Sequence, residues 1–183
     1  DFTWSDFQAR NNNELVAIFG NFINRVVVLT NKYYEGIIPE PASLYEVDIA
    51  TLTQLKAYPS VIESSIERYR FREAQAELMN MARLGNKYLA DEEPWKAIKT
   101  DEERTKTIMF VSLQIASALA VLCEPFLPFT SSKLKNMLCL NEEQNNEESL
   151  QWKDISTKET LISSGHKIGK GELLFSKIED EQV

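Results

Sequence analysis

Between Asn13 and Tyr33 the apolar residues Leu15, Ile18, Phe19, Phe22, Val26 and Leu29 recur at steps of three and four. That is the period of one face of an α-helix, so the spacing predicts a helix with this face in a core. Asn11, Asn12 and Asn13 stand just before it and are expected to supply N-cap side chains, with Trp4–Gln8 as a separate short turn leading in. The string Gly36-Ile37-Ile38-Pro39-Glu40-Pro41 stops the helix and makes a loop. A second helix is expected from Ser43 or Asp48 to Tyr69, kinked or broken at Pro59. A third runs from Phe71 to Leu89, with Ala74, Leu78, Met81, Ala82, Leu84 and Leu89 on one side and Arg72, Arg83 and Lys87 among the rest. Ala90-Asp91-Glu92-Glu93-Pro94-Trp95 reads as a helix end, a turn and a new start, because Pro is tolerated at the first helical position and acids complement an N-terminal dipole. Asp101-Glu102-Glu103 repeats the start signal ahead of an apolar helix ending near Cys123, which Pro125 and Pro128 break before a last short helix, Thr130–Cys139. Leu173–Ile178 alternates weakly, as a strand would.

Six Gly and six Pro among 183 residues rich in helix formers point to an all-α fold. The expectation is a bundle of about five helices with a partly irregular C-terminal tail. A chain of this length and 43% hydrophobic content holds one core. Residues 1–140 are expected to form the bundle, with 141–183 an acidic loop and tail packing back on it in the same domain. The Asn-, Glu- and Gln-rich region 141–149 reads as the loop. Ile108–Leu122 is 15 residues, interrupted by Ser112, Gln114 and Ser117. It falls short of the roughly 20 needed to cross a bilayer, so it is read as a core helix and no membrane is expected. Cys123 and Cys139, 16 apart with no CxxC pair, suggest neither a zinc site nor a disulfide but buried thiols in a reducing compartment. The chain opens at Asp1 with no basic-then-apolar leader, which reads as a domain boundary in a cytoplasmic protein.

The net charge of −8 counts against a simple nucleic-acid reading, since phosphate binding leaves a basic footprint. Its distribution changes that picture. Residues 141–183 hold ten acids and five bases, a net of −5, whereas residues 64–106 balance at nine of each. Arg68, Arg70, Arg72, Arg83 and Lys87 could still gather locally.

On the first long helix Asn21 and Arg25 are four apart, on one face and away from Leu15, Phe22 and Leu29, and Lys32 falls nearly in line with them. An amide and a guanidinium together form a donor-rich patch able to read the Watson–Crick edge of an unstacked base and hold its phosphate. Taken alone, the pair also fits an ordinary solvated helix face. Trp95 follows Pro94 in a very acidic neighbourhood. It serves either as a stacking platform, worth roughly 1 to 3 kcal/mol per base, or as a plug at the junction of two helices. His166, the only histidine, lies in a Gly-flanked tail without a nucleophile or carboxylate partner at useful spacing, so it reads as a loop residue. No Gly-rich phosphate loop or paired-carboxylate signature appears.

Three strings together resemble the C-terminal helical domain of methionyl-tRNA synthetases, in order and separation across nearly the whole chain. The first is Asp6-Phe7-Gln8, then Asn12-Asn13-Glu14-Leu15-Val16, then Gly20-Asn21-Phe22-Ile23-Asn24-Arg25. The second is Asn86-Lys87-Tyr88-Leu89, three acids, and Pro94-Trp95-Lys96. The third is Leu161-Ile162-Ser163-Ser164-Gly165-His166-Lys167-Ile168. The resemblance implies that Asn21, Arg25 and Trp95, with Pro94 and Lys32 beside them, recognise the CAU anticodon loop of a methionine tRNA, chiefly its first base. It also implies a catalytic part of the same parent chain as second partner. ATP, magnesium and zinc would belong to that part, leaving no cofactor and no catalytic residue here. The chain departs from the pattern at Ala90, acidic in some relatives, and in the Asn/Glu-rich stretch after Leu140. The HIGH-like and KMSKS-like motifs and the cysteine-rich zinc knuckle of the catalytic half do not occur. The helical domain of another class I synthetase (cysteine, leucine, isoleucine or valine) is the nearest alternative. A helical protein-interaction module anchored by Trp95 is one of a different class.

Overall fold

A computed structural model describes residues 2–140 and 149–182. Thr3 opens the first helix: its backbone is extended and its hydroxyl accepts the Asp6 N–H at 3.1 Å. The chain then winds without interruption to Tyr34, through α1 (Trp4–Arg10), a π-helical segment (Asn11–Gly20) and α2 (Asn21–Tyr34), with Arg10, Asn11, Gly20 and Asn21 all in right-handed helical conformation. The break expected before Asn13 is therefore absent, because the cap lies earlier, at Thr3. Asn11 and Asn12 turn their amides sideways instead, onto the carbonyls of Ser176 and Ile178. Glu35, in the left-handed region at φ 53°, ends the helix.

α3 (Glu46–Glu67) starts between the two starts the sequence allowed, with Asp48 accepting the Tyr45 N–H at 2.8 Å, and it continues through the buried Pro59 without a break. α4 (Phe71–Glu92) reaches one turn past Leu89. After it come α5 (Pro94–Ala97) and α6 (Glu102–Leu122), which Asp101 caps by accepting the Arg104 N–H at 2.9 Å. α7 (Pro128–Met137) uses Pro128 as its first residue rather than beginning at Thr130. A one-turn α8 (Asp154–Thr157) and a 3-10 turn (Asp180–Gln182) complete the helices. Apart from Ser149, the loop expected at 141–149 lies outside the described residues.

α6 is the centre of the bundle, in contact with α2, α3, α4, α5 and α7. An 18-residue stretch of this 21-residue helix is apolar enough for a membrane span by composition, but 94% of that stretch is buried inside the protein, which makes it a core helix. Phe19, Phe22, Ile62, Met81, Leu89, Ile115 and Leu119 meet around it at no exposure. Each such side chain contributes about 1.5–3 kcal/mol. The polar groups on α6 are matched: Ser112 and Ser117 donate to carbonyls one turn back, and Gln114 accepts from the Leu161 N–H at 2.7 Å and donates to the Ile162 carbonyl at 2.9 Å.

That glutamine begins the anchoring of the C-terminal tail. Ile38 and Ile168 donate to the His166 and Gly36 carbonyls, and a single antiparallel bridge joins Ile37 to Lys167. The His166 ring bonds the Leu138 carbonyl at 2.7 Å, a structural role. Leu173–Ile178 forms no strand: among the described residues it finds no neighbouring chain to pair with, only a helix. Asn12 substitutes for a strand, donating to the Ile178 carbonyl at 2.8 Å and accepting its N–H at 2.9 Å, while Phe175 meets Phe19 edge-on at 5.7 Å. Neither cysteine is in a disulfide. Cys123 is buried, which pushes its thiol up to about 12. Cys139, expected to be buried as well, is only half-buried, because it lies in the left-handed turn that follows α7.

Candidate nucleic-acid interface

α4 runs beside the π-helical segment and α2, and the closest approach is at Gly85. A Cβ there would stand 2.6 Å from the Phe22 ring, so only glycine lets the helices come this near. The approach allows the next residue, Asn86, to donate to the Ile18 carbonyl at 2.7 Å and to accept from the Asn21 amide at 3.3 Å. Asn21 is exposed, and its orientation is thereby set with its carbonyl oxygen and one N–H left for an incoming group.

One turn further along α2, the Arg25 guanidinium lies over the Trp95 ring, 5.0 Å from the centroid. Both side chains are half-buried. Trp95 arrives there because Glu93 ends α4 in a left-handed turn at φ 45° and the buried Pro94 starts α5 immediately afterwards. No carboxylate pairs with Arg25 among the described residues. Lys32 is exposed about 10 Å further up the helix, given 1.5 Å per residue, and lies over the Tyr33 ring at 5.7 Å rather than joining the pair. The acid nearest Ala90, Asp91, is engaged by Lys87 on the surface.

Behind this edge lies a buried charged cluster that no spacing in the sequence predicts. Arg104 reaches from α6 to Asp48 on α3 with bonds of 2.5 and 2.9 Å, and to Glu92 at the end of α4 at 2.6 Å. Tyr88 donates to Asp48 at 2.6 Å, and the guanidinium stacks on Tyr45 at 4.4 Å. Burial works to raise the Asp48 carboxyl, but hydrogen bonds from Arg104, Tyr88 and the Tyr45 N–H outweigh it and hold it below its ordinary value. Burial and the Asp48 charge push the Tyr88 phenol far up, so it stays protonated as a donor. Glu92 is three residues before Trp95, so the cluster fixes the corner from which the indole projects.

The sequence reading missed Gly85, Asn86 and this cluster. A Gly-Asn pair inside an otherwise regular helix was the one available signal for the first two. Grooves of about 680, 630 and 550 Å³ elsewhere on the bundle are not lined by Asn21, Arg25 or Trp95. A flat ring covered by a cation, beside an oriented amide, suits a planar heterocycle with a hydrogen-bonding edge.

Comparison with known proteins places the chain in a family. A family model described as the anticodon binding domain of methionyl tRNA ligase matches residues 38–183. The chain belongs to that family. Over all 183 residues it is 74% identical to the methionine–tRNA ligase of Christiangramia forsetii and 70% identical to that of Flavobacterium psychrophilum, and it spans 26% of each. The apo methionyl-tRNA synthetase of Mycobacterium tuberculosis shares the fold at TM-score 0.86 and 19% identity, over 97% of this chain and 35% of that one. The same enzyme in complex with methionyl-adenylate matches with a TM-score of 0.84 over 95% of this chain. The matched span of the anticodon-binding family contains Pro94 and Trp95, while Asn21 and Arg25 precede it and fall within the relatives' alignment.

Proposed function

We propose that this domain reads the CAU anticodon loop of a methionine tRNA and so serves the ATP-dependent attachment of methionine by its parent ligase. The observation that carries the reading is the Arg25 guanidinium over the Trp95 ring, one turn from an Asn21 amide oriented by Asn86. A loop base drawn out of its stack would lie against Trp95, worth roughly 1 to 3 kcal/mol. Asn21 would donate and accept at its Watson–Crick edge, and Arg25 would hold its phosphate or its carbonyl. Cytosine, with one exocyclic donor and adjacent acceptors, matches an amide that offers both roles. Pro94 fixes the indole. Lys32 adds charge to the same helix face further up.

On this reading the second partner is the catalytic part of the parent chain, and residues 1–140 with the tail after them act as one unit in the cytoplasm. On the same reading ATP, magnesium and zinc serve that catalytic part. The test is a CAU anticodon hairpin titrated into the isotope-labelled domain. Trp95→Ala and Arg25→Ala are expected to leave circular dichroism and melting within about 0.5 kcal/mol of wild type, as for other surface changes, while abolishing the chemical-shift response. An equal response of the wild type to CAU and scrambled loops would exclude the reading.

A further inference from the structure

The geometry points to a second RNA contact on this domain: the groove between α1 and α4, whose α4 wall carries Arg72 and Arg83, is a track for the phosphate backbone of the stem joined to the recognised loop. The inference rests on the proposed reading of the anticodon and deepens it. The groove has a volume of about 550 Å³ and is lined by Arg72, Gln75, Met79 and Arg83 on one side and Asp6, Arg10 and Glu14 on the other.

Arg72, Gln75, Met79, Arg83 and Asn86 follow one another at steps of three and four, so they form one stripe on α4. The stripe ends at Asn86, the residue that holds Asn21. Over its 14 residue-to-residue steps it rises about 21 Å, enough to follow a strand and not a single nucleotide. An RNA held at Trp95 would therefore be led up this groove.

The charges are arranged for an anion despite the net −8 of the chain. On the far wall Arg10 is engaged by Asp6 at 3.1 Å and by Glu14 at 3.8 Å, which offsets one of the two acids, and with Arg72 and Arg83 opposite the lining of the groove as a whole is net positive. Three of the other acids of α4 are matched, Glu73 by Arg70, Asp91 by Lys87 and Glu92 by Arg104, while Glu77 lines the groove toward α3, which Arg83 also borders. Arg72 and Arg83 are exposed, and neither meets a carboxylate among the described residues. Arg83 donates only to the Asn80 side chain, at 3.1 Å, and keeps four of its five N–H donors. Two guanidiniums three turns apart on one wall, neither paired with a carboxylate among the described residues, suit separate phosphates along one strand of an RNA stem.

The experiment compares the wild-type chain with Arg72→Gln/Arg83→Gln, using a full CAU anticodon hairpin and the loop heptanucleotide without its stem, across a salt series. For the hairpin the double variant is expected to bind about tenfold more weakly and to lose about 1.5–2 from the slope of log K against log salt, two phosphate contacts' worth. For the heptanucleotide the change should be less than twofold, and the CAU-to-scrambled ratio should stay at its wild-type value in both. If the hairpin's affinity and salt slope are unchanged while that ratio persists, the track is wrong and the loop reader stands. If the wild type shows no CAU preference, the loop reader itself has failed. A loss of hairpin binding together with the CAU ratio, or a lowered melting temperature, would mean that the arginines support the fold and would also overturn the track.

Discussion

Two arginines in this domain lie over aromatic rings, Arg25 over Trp95 at 5.0 Å and Arg104 over Tyr45 at 4.4 Å, and they have opposite surroundings. Arg104 has its side chain 8% exposed and is bonded by two carboxylates from two other helices. Arg25 is half-buried and meets none. A buried guanidinium without its acids would carry an uncompensated desolvation penalty, so the Arg104 cluster has no spare capacity for a ligand. The Arg25 pair has already ordered its side chains against each other while keeping its charge and outward donors. The difference separates a group that holds the bundle from a group that the bundle holds out for use.

The strongest way to break this comparison is Asp48→Ala, which leaves Arg104 and Tyr88 facing an empty place in the interior. Removal of one partner of a buried pair costs about 3–5 kcal/mol, so urea unfolding should show a loss of that size. Arg25→Ala, measured alongside, should lose almost nothing. A near-wild-type midpoint for Asp48→Ala would show that the two arginines do not differ as described. The acid limb of stability comes next. Because the folded-state carboxyl of Asp48 is held below its ordinary value of 3.8, its contribution is complete above that value and is lost as pH falls through the depressed one. Melting followed from pH 6 to pH 2, taken as about neutral-acid to strongly acid, should therefore fall more steeply in the wild type than in Asp48→Asn. The smallest effect is the sharpest probe: Arg25→Lys keeps the charge but loses the planar stack, and should weaken CAU-hairpin binding by about 0.5–1 kcal/mol with no change in folding.

Much of the architecture could be read from periodicity because each long helix buries a continuous stripe, as Phe19, Phe22, Val26 and the Ala74-to-Leu89 series show. What escaped was set by contacts between distant residues. The three asparagines looked like a cap because local composition cannot reveal that Thr3 has already provided one, or that the amides answer a tail some 165 residues away. Leu173–Ile178 alternates as a strand does, but a strand needs a ladder, and the neighbour here is a helix. For the site, Asn21, Arg25 and Trp95 were legible one by one, and the resemblance grouped them. That Arg25 and Trp95 meet, and that Asn86 orients Asn21, depends on a glycine pressed to Phe22 and on a left-handed Glu93. Asp48 and Arg104 are 56 positions apart, beyond any pattern of helical spacing.

The wider winding of residues 11–20 has a consequence for how such a domain tolerates change. Those ten residues set the rotational phase with which α2 leaves α1. Deleting one of them while the rest keep their wider winding would swing everything downstream by about a quarter of a turn. Arg25 would then turn away from the indole while Val26 or Val27 came toward solvent. Substitutions along this stretch can thus be mild where a single-codon deletion is ruinous, and surviving homologues should vary here in identity far more readily than in length.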